Sequence, residues 1–135
     1  METKTLERDI PVFYVQASSF PDGIKAAFEK LHALVSPESK RQYFGISWME
    51  DDKIIYKAAA EELEPGEGKK YGCDQFVIRK GKYVAKEIHD FMKDTSSVGK
   101  AFSELLKTPG IDPEGYCLEI YDSGKDVTCL VPLVK

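Results

Sequence analysis

No uninterrupted apolar run in this sequence approaches the ~20 residues that a bilayer-spanning helix requires, so a transmembrane helix is excluded. The opening residues, Met1 to Asp9, are charged and lack the apolar core of a secretory signal. Cysteine is scarce: three residues, an odd number and widely spaced, which fits reduced thiols in the cytoplasm better than a disulfide framework. The two histidines, His32 and His89, stand at neither Cys-x-x-Cys nor His-x-x-x-His spacing, so a metal site has no support. Positive charge is in the minority. Lys and Arg total 19 against 23 Asp and Glu, for a net charge of −4 and a pI of about 5.3. That balance argues against direct nucleic-acid binding, which needs clustered positive charge. It leaves room for a small basic spot such as Lys69-Lys70. There is no Gly-x-Gly-x-x-Gly, no Walker loop and no Gly-x-Ser-x-Gly elbow, and Gly66-x-Gly68 stands in a charged stretch with no strand-to-helix turn around it. No cofactor is implied.

What remains is a chain of 135 residues, 42% hydrophobic and 31% charged, which is ordinary for one globular domain. Ile10–Phe20 is apolar and β-prone. After the turn Pro21-Asp22-Gly23, the residues Ile24, Ala27, Phe28, Leu31, Leu34 and Val35 make one apolar helix face, which Pro37 ends. Tyr43–Met49 and Lys53–Glu62 read as a hairpin turning at Glu50-Asp51-Asp52. Glu64–Gly72 reads as an exposed loop. Gln75–His89 reads as one long strand or two, broken at Gly81. Asp94–Ser97 supplies caps for a second helix, with Val98, Ala101, Phe102, Leu105 and Leu106 on its apolar face. Cys117–Tyr121 and Val127–Val134 close the chain around the turn Asp122-Ser123-Gly124-Lys125-Asp126.

The order is thus β-α-β-β twice, and a single 74-residue offset relates the halves. Ala27-Phe28-x-x-Leu31 falls on Ala101-Phe102-x-x-Leu105. Phe44 and Ile46 fall on Leu118 and Ile120, and Ile55-Tyr56 on Cys129-Leu130. The expected fold is α+β: one domain over residues 1–135 made by a tandem βαββ duplication. Repeat one covers about 10–62, a loop 63–74, and repeat two about 75–135. A pseudo-two-fold axis would relate the repeats, with one antiparallel sheet, two helices and a central cleft between them.

This arrangement resembles the GyrI-like small-molecule-binding domain, the effector-binding half of multidrug-responsive transcription regulators. Tyr43-Phe44-Gly45-Ile46 looks like the family's Tyr-x-Gly-Ile strand, and Gly81-Lys82-Tyr83 like its Gly-Arg-Tyr. Leu118-Glu119-Ile120-Tyr121 looks like its Phe-Glu-Val-Tyr strand, and Val131-Pro132-Leu133 like its closing Val-Pro-Ile. The helix entrances depart from the family's Gly-Pro-Tyr, being Ser18-Ser19-Phe20-Pro21 and Thr95-Ser96-Ser97, and Phe102 stands where a Trp is frequent. Only Met1–Asp9 precedes the first expected strand, too short for a helix-turn-helix. The resemblance is therefore to a stand-alone version.

From the residues alone, Glu119 reads as a glutamate on the solvent face of an alternating strand. The resemblance implies instead the acid on the floor of a ligand pocket, where a carboxylate among aromatic rings attracts lipophilic cations. Tyr121 shares its strand parity, and Tyr43, Trp48, Tyr56 and Phe91 lie in or beside the same strands. These six residues are the candidate ligand-binding set. In an antiparallel hairpin, Cys129 falls opposite Glu119. With no His nearby, that pair is not a nucleophile constellation, and the cysteines read as small buried hydrophobes. The expected partner is a small hydrophobic or cationic ligand. The resemblance also implies two alternatives. One is a hydrolase of reactive cyclopropane-containing toxins, in which Glu119 works with a tyrosine such as Tyr83 or Tyr121. The other is a gyrase-inhibitor-like regulator with a protein partner. Dimerisation through a strand edge is a further possibility that the sequence leaves open.

Overall fold

A computed structural model describes residues 2–35, 40–94, 96–121 and 125–134. In chain order its elements are β1 (Glu2–Leu6), β2 (Ile10–Gln16), α1 (Ile24–Leu34), β3 (Tyr43–Glu50), β4 (Lys53–Glu61), α2 (Glu67–Lys70), β5 (Asp74–Ile78) and β6 (Gly81–Ile88). A 3₁₀ turn (Phe91–Lys93), α3 (Ser96–Leu105), β7 (Cys117–Tyr121) and β8 (Val127–Pro132) follow. The eight strands form one antiparallel sheet, curled into a half-barrel, in the order β1-β6-β8-β7-β3-β4-β2-β5. The fold is α+β. Among the described residues, no helix is long and apolar enough to cross a membrane.

The sheet order shows the duplication directly. β6-β8-β7 and β4-β2 with β3 mirror one another about the β3–β7 seam. That seam pairs Tyr43 with Tyr121, Gly45 with Glu119 and Ser47 with Cys117. The 74-residue offset carries Gly45 onto Glu119, and it carries the Tyr43–Tyr121 pair onto Cys117–Ser47. The pseudo-two-fold axis therefore passes through the Gly45–Glu119 pair. The helices obey the same offset: Ala27 and Leu31 are the buried residues of α1, and Ala101 and Leu105 those of α3.

Four features depart from the sequence reading. The leading residues are not a mere charged tail, because residues 2–6 form β1, which pairs with β6 of the opposite half. β5 likewise leaves its own half and pairs with β2. The stretch read as the loop 63–74 contains α2, a third helix, fastened by Arg41. That side chain bonds Glu67 with both arms at 2.8 and 2.9 Å and the Glu61 carbonyl at 3.0 Å. Last, the offset does not extend to the final strand. Ser47–Tyr56 and Tyr121–Val127 are the corresponding pairs, and the second hairpin is three residues shorter. Tyr56, Ala58 and Ala60 thus match Val127, Cys129 and Val131, not the residues a constant offset predicts. Pro37, Thr95 and the turn residues Asp122 to Gly124 lie outside the described residues.

Strand alternation sorts the core into two faces. On one, α1 covers Phe13, Tyr56, Ala58 and Ala60, while α3 covers Val84, Val127, Cys129 and Val131. On the other, the half-barrel closes on Phe44, Ile46, Leu118, Ile120, Leu130 and Tyr83. Ala58 and Ala60 keep that face of β4 thin, which lets α1 lie close to it.

Candidate ligand-binding site

Glu119 lies on the helix-covered face, between the α1 and α3 clusters, and is 8% exposed. Its cross-strand neighbours are Gly45 on β3 and Cys129 on β8. Gly45 is what makes the position habitable. A Cβ there would stand 2.2 Å from Glu119 Oε1 and 2.2 Å from the Tyr56 hydroxyl oxygen. The missing side chain is the space into which the carboxylate and the phenol turn. Tyr56 from β4 and Tyr121 from β7 both donate to Glu119 Oε1, at 2.6 and 2.5 Å, and their hydroxyls are 3.3 Å apart. Among the described residues, Oε2 accepts no hydrogen bond, and no Lys, Arg or His pairs with the carboxylate.

Burial pushes the Glu119 carboxyl above the ordinary carboxylate range, and the two tyrosine donors offset this only in part. Burial also raises Tyr56 and Tyr121, reinforced by the adjacent carboxylate, so both phenols stay protonated as donors. The same desolvation lifts the Cys117 thiol to about 11 and Cys129 to about 12. Neither is a thiolate at neutral pH.

Aromatic rings roof this group. Phe28 of α1 packs edge-on against Tyr121 at 5.5 Å and Tyr56 at 6.3 Å. Phe91 meets Tyr121 at 5.7 Å, Phe20 meets Tyr56 at 6.0 Å, and His32 lies 4.5 Å from Tyr43. Of the six candidate residues, the structure gathers Glu119, Tyr121 and Tyr56 into one hydrogen-bonded group and sets Phe91 against it. Tyr43 pairs across the seam with Tyr121.

Trp48 belongs to the other face. There it stacks on Phe76, with Lys57 Nζ 4.4 Å above its ring. The aromatic cage of Tyr14, Trp48 and Phe76 is thus occupied by the chain's own ammonium. Tyr83 also faces away from Glu119. Its hydroxyl is 2.7 Å from that of Tyr116 and donates to the Arg79 carbonyl.

At the end of the seam where Ser47 pairs with Cys117 lies a cavity of about 780 Å³. Trp48, Phe76 and Tyr116 wall it on one side, and Phe102 of α3 with Leu106 just beyond its end on another. Ser47 and Cys117 form its boundary toward the seam. Glu119 and the three tyrosines 43, 56 and 121 do not line it. Sequence reading missed Gly45, Phe28, Ser47 and this chamber. One signal was present: the repeat offset sets Gly45 opposite Glu119. As for metals, the described residues bring Glu87, His89 and Asp126 within 4.8 Å of one another at the surface. There His89 stands between the two carboxylates, 3.7 Å from Glu87 and 3.5 Å from Asp126.

No family model and no curated protein sequence matches the chain. Solved structures do. An integron cassette protein from Vibrio cholerae superposes with a TM-score of 0.69 at 17% identity, covering 98% of this chain and 95% of its own. SAV2435, solved bound to tetraphenylphosphonium, gives 0.64 at 11% identity, with 98% and 93% covered. A hydrolase from Listeria innocua gives 0.65 at 11% identity, with 98% and 90% covered. At these identities the likeness establishes a shared fold.

Proposed function

We propose that this chain is a GyrI-like small-molecule-binding protein that takes amphipathic cationic or planar aromatic compounds between its two halves, with Glu119 as the counter-charge. One observation carries the reading. Glu119 is 8% exposed, with one carboxylate oxygen bound by two phenols and, among the described residues, no cation paired with it. Desolvation penalises the ionised carboxylate, and either a proton or a cation relieves that cost, so a positive ligand competes with the proton for a site already in place. The aromatic roof supplies faces for its apolar body. The neighbour that binds a lipophilic cation in the same fold supports this reading. The neighbour described as a hydrolase keeps turnover as the competing outcome.

The test is calorimetric binding of tetraphenylphosphonium and of a neutral tetraphenyl analogue to the parent and to Glu119→Gln. The variant should bind the cation roughly tenfold to a hundredfold more weakly, the worth of a charge-assisted contact of about 1.5–3 kcal/mol. Binding of the neutral analogue should hardly change. Equal losses for both compounds would refute Glu119 as the charge selector. Turnover of ester or epoxide substrates that Glu119→Gln abolishes would favour the hydrolase reading instead.

A further inference from the structure

We propose that the apolar body of the ligand occupies the 780 Å³ chamber flanking α3, and that it reaches Glu119 only through the Ser47–Cys117 side of the seam. This deepens the reading above and rests on it. The two ends of the seam are equivalent by the pseudo-two-fold axis but are filled differently. At one end, Tyr43 faces Tyr121, and Phe28 packs on Tyr121 at 5.5 Å. At the other, the corresponding pair is Cys117 and Ser47, with Phe102 in the place of Phe28. A phenol at position 121 fills its end and ties off on Glu119, whereas a hydroxymethyl group at 47 leaves its end hollow. Ser47, Cys117 and Phe102 of that end all line the chamber, which continues past the strand ends to Trp48, Phe76 and Tyr116 of the other face.

Cys117 and Glu119 are two residues apart on one strand, so their side chains project from the same face. The thiol is the partition between the chamber and the carboxylate. The chamber's chemistry also suits the proposed ligand class. Its walls are largely aromatic and aliphatic, and among the described residues its charged lining is Asp112 and Glu114, with no basic residue. Four exposed apolar side chains, Phe20, Met49, Ile54 and Leu106, surround it. Such exposed apolar area beside a cavity is a feature of ligand grooves.

Two substitutions fill the chamber from opposite walls. Ser47→Tyr restores at the open end the ring that closes the other. Gly99→Leu projects from α3, where a Cβ meets nothing within 4 Å. Replacing a helical glycine also favours the helix, so this variant should fold at least as well as the parent. Tetraphenylphosphonium binding should fall at least tenfold in each, with melting temperatures held. Saturating tetraphenylphosphonium should slow alkylation of Cys117 by N-ethylmaleimide at least fivefold, read by peptide mass spectrometry. If both filled variants bind like the parent while Glu119→Gln binds weakly, the ligand sits over Glu119 from the Phe28 side. That result overturns the chamber proposal and leaves the counter-charge reading standing. If Glu119→Gln and the filled variants all bind like the parent, both fall. Weakened binding in the filled variants together with unprotected Cys117 overturns the proposed passage.

Discussion

Gly45 and Glu119 occupy one point of the sheet, and the glycine is as necessary as the acid. Gly45→Ala would put a methyl group into the oxygen pair that Glu119 and Tyr56 share. The clash can be relieved only by turning the carboxylate or the phenol away, which breaks a buried charge-assisted hydrogen bond. We expect Gly45→Ala to lose about 2–4 kcal/mol of stability in urea unfolding, and cation binding with it. Glu119 itself titrates in a direction opposite to most carboxylates. Its folded-state value is raised, so folding favours the protonated form. Its contribution to stability therefore falls as pH rises from about 4.3, the ordinary value, through the folded value. Glu119→Gln removes that loss. The difference in melting temperature, variant minus parent, should move in the variant's favour between about pH 4 and pH 8. A cationic ligand prefers the ionised form, so its affinity should strengthen over the same rise in pH, and a flat profile would contradict the assignment.

Among the elements, α2 shows how a short helix is held. Four residues cannot sustain a helix by propensity, and the Arg41–Glu67 clamp holds it against β2 and β5 instead. The Arg41 side chain is 3% exposed and that of Glu67 11%. Arg41→Met would strand a buried carboxylate, at a cost of about 3 kcal/mol. Arg41 also holds the Glu67 carboxyl below its ordinary range. The clamp's stability is thus present above that range and lost as pH falls through the folded value, the reverse of Glu119. The last hairpin makes a separate prediction about thiols. Cys129 is buried, while Cys117, beside Ser47, and Cys73, three residues past α2, are both half-buried. Maleimide labelling without ligand should proceed fastest at Cys73 and slowest at Cys129, because burial shields Cys129 and desolvation raises the Cys117 and Cys129 thiols most. Rapid labelling of Cys129 with Cys73 protected would contradict the placement of the hairpin.

At the scale of the whole molecule, the exchanged strands make the two halves depend on each other. β1 precedes the first half but pairs with the second, and β5 precedes the second but pairs with the first. Neither half holds all its strands alone. Deleting residues 1–8 should lower the melting temperature by roughly 3–5 °C per kcal/mol lost, because Leu6 and five backbone pairings leave β6 together. A fragment of residues 1–70 should be unfolded, since β1 lacks β6 and β2 lacks β5. A cooperative far-ultraviolet melt of that fragment would show the opposite.

Much of this was legible in the chain. Both long helices declare themselves by the spacing of Ala27, Leu31, Ala101 and Leu105, because a helix face repeats every 3.6 residues whatever it packs against. The 74-residue offset located the axis as far as β7, and Cys129 opposite Glu119 followed from hairpin geometry. Hairpin length, however, is not written in hydrophobic pattern. The second turn is three residues shorter, an odd number, and an odd slip exchanges the faces of β8. β1 escaped notice because a polar edge strand carries little apolar signal. The chamber could not be read at all. The difference between Ser47 and Tyr121 means nothing until β3 and β7 pair and the axis makes their positions equivalent. Local periodicity determined the elements, while long-range pairing alone decided which end of the seam is filled and which is open.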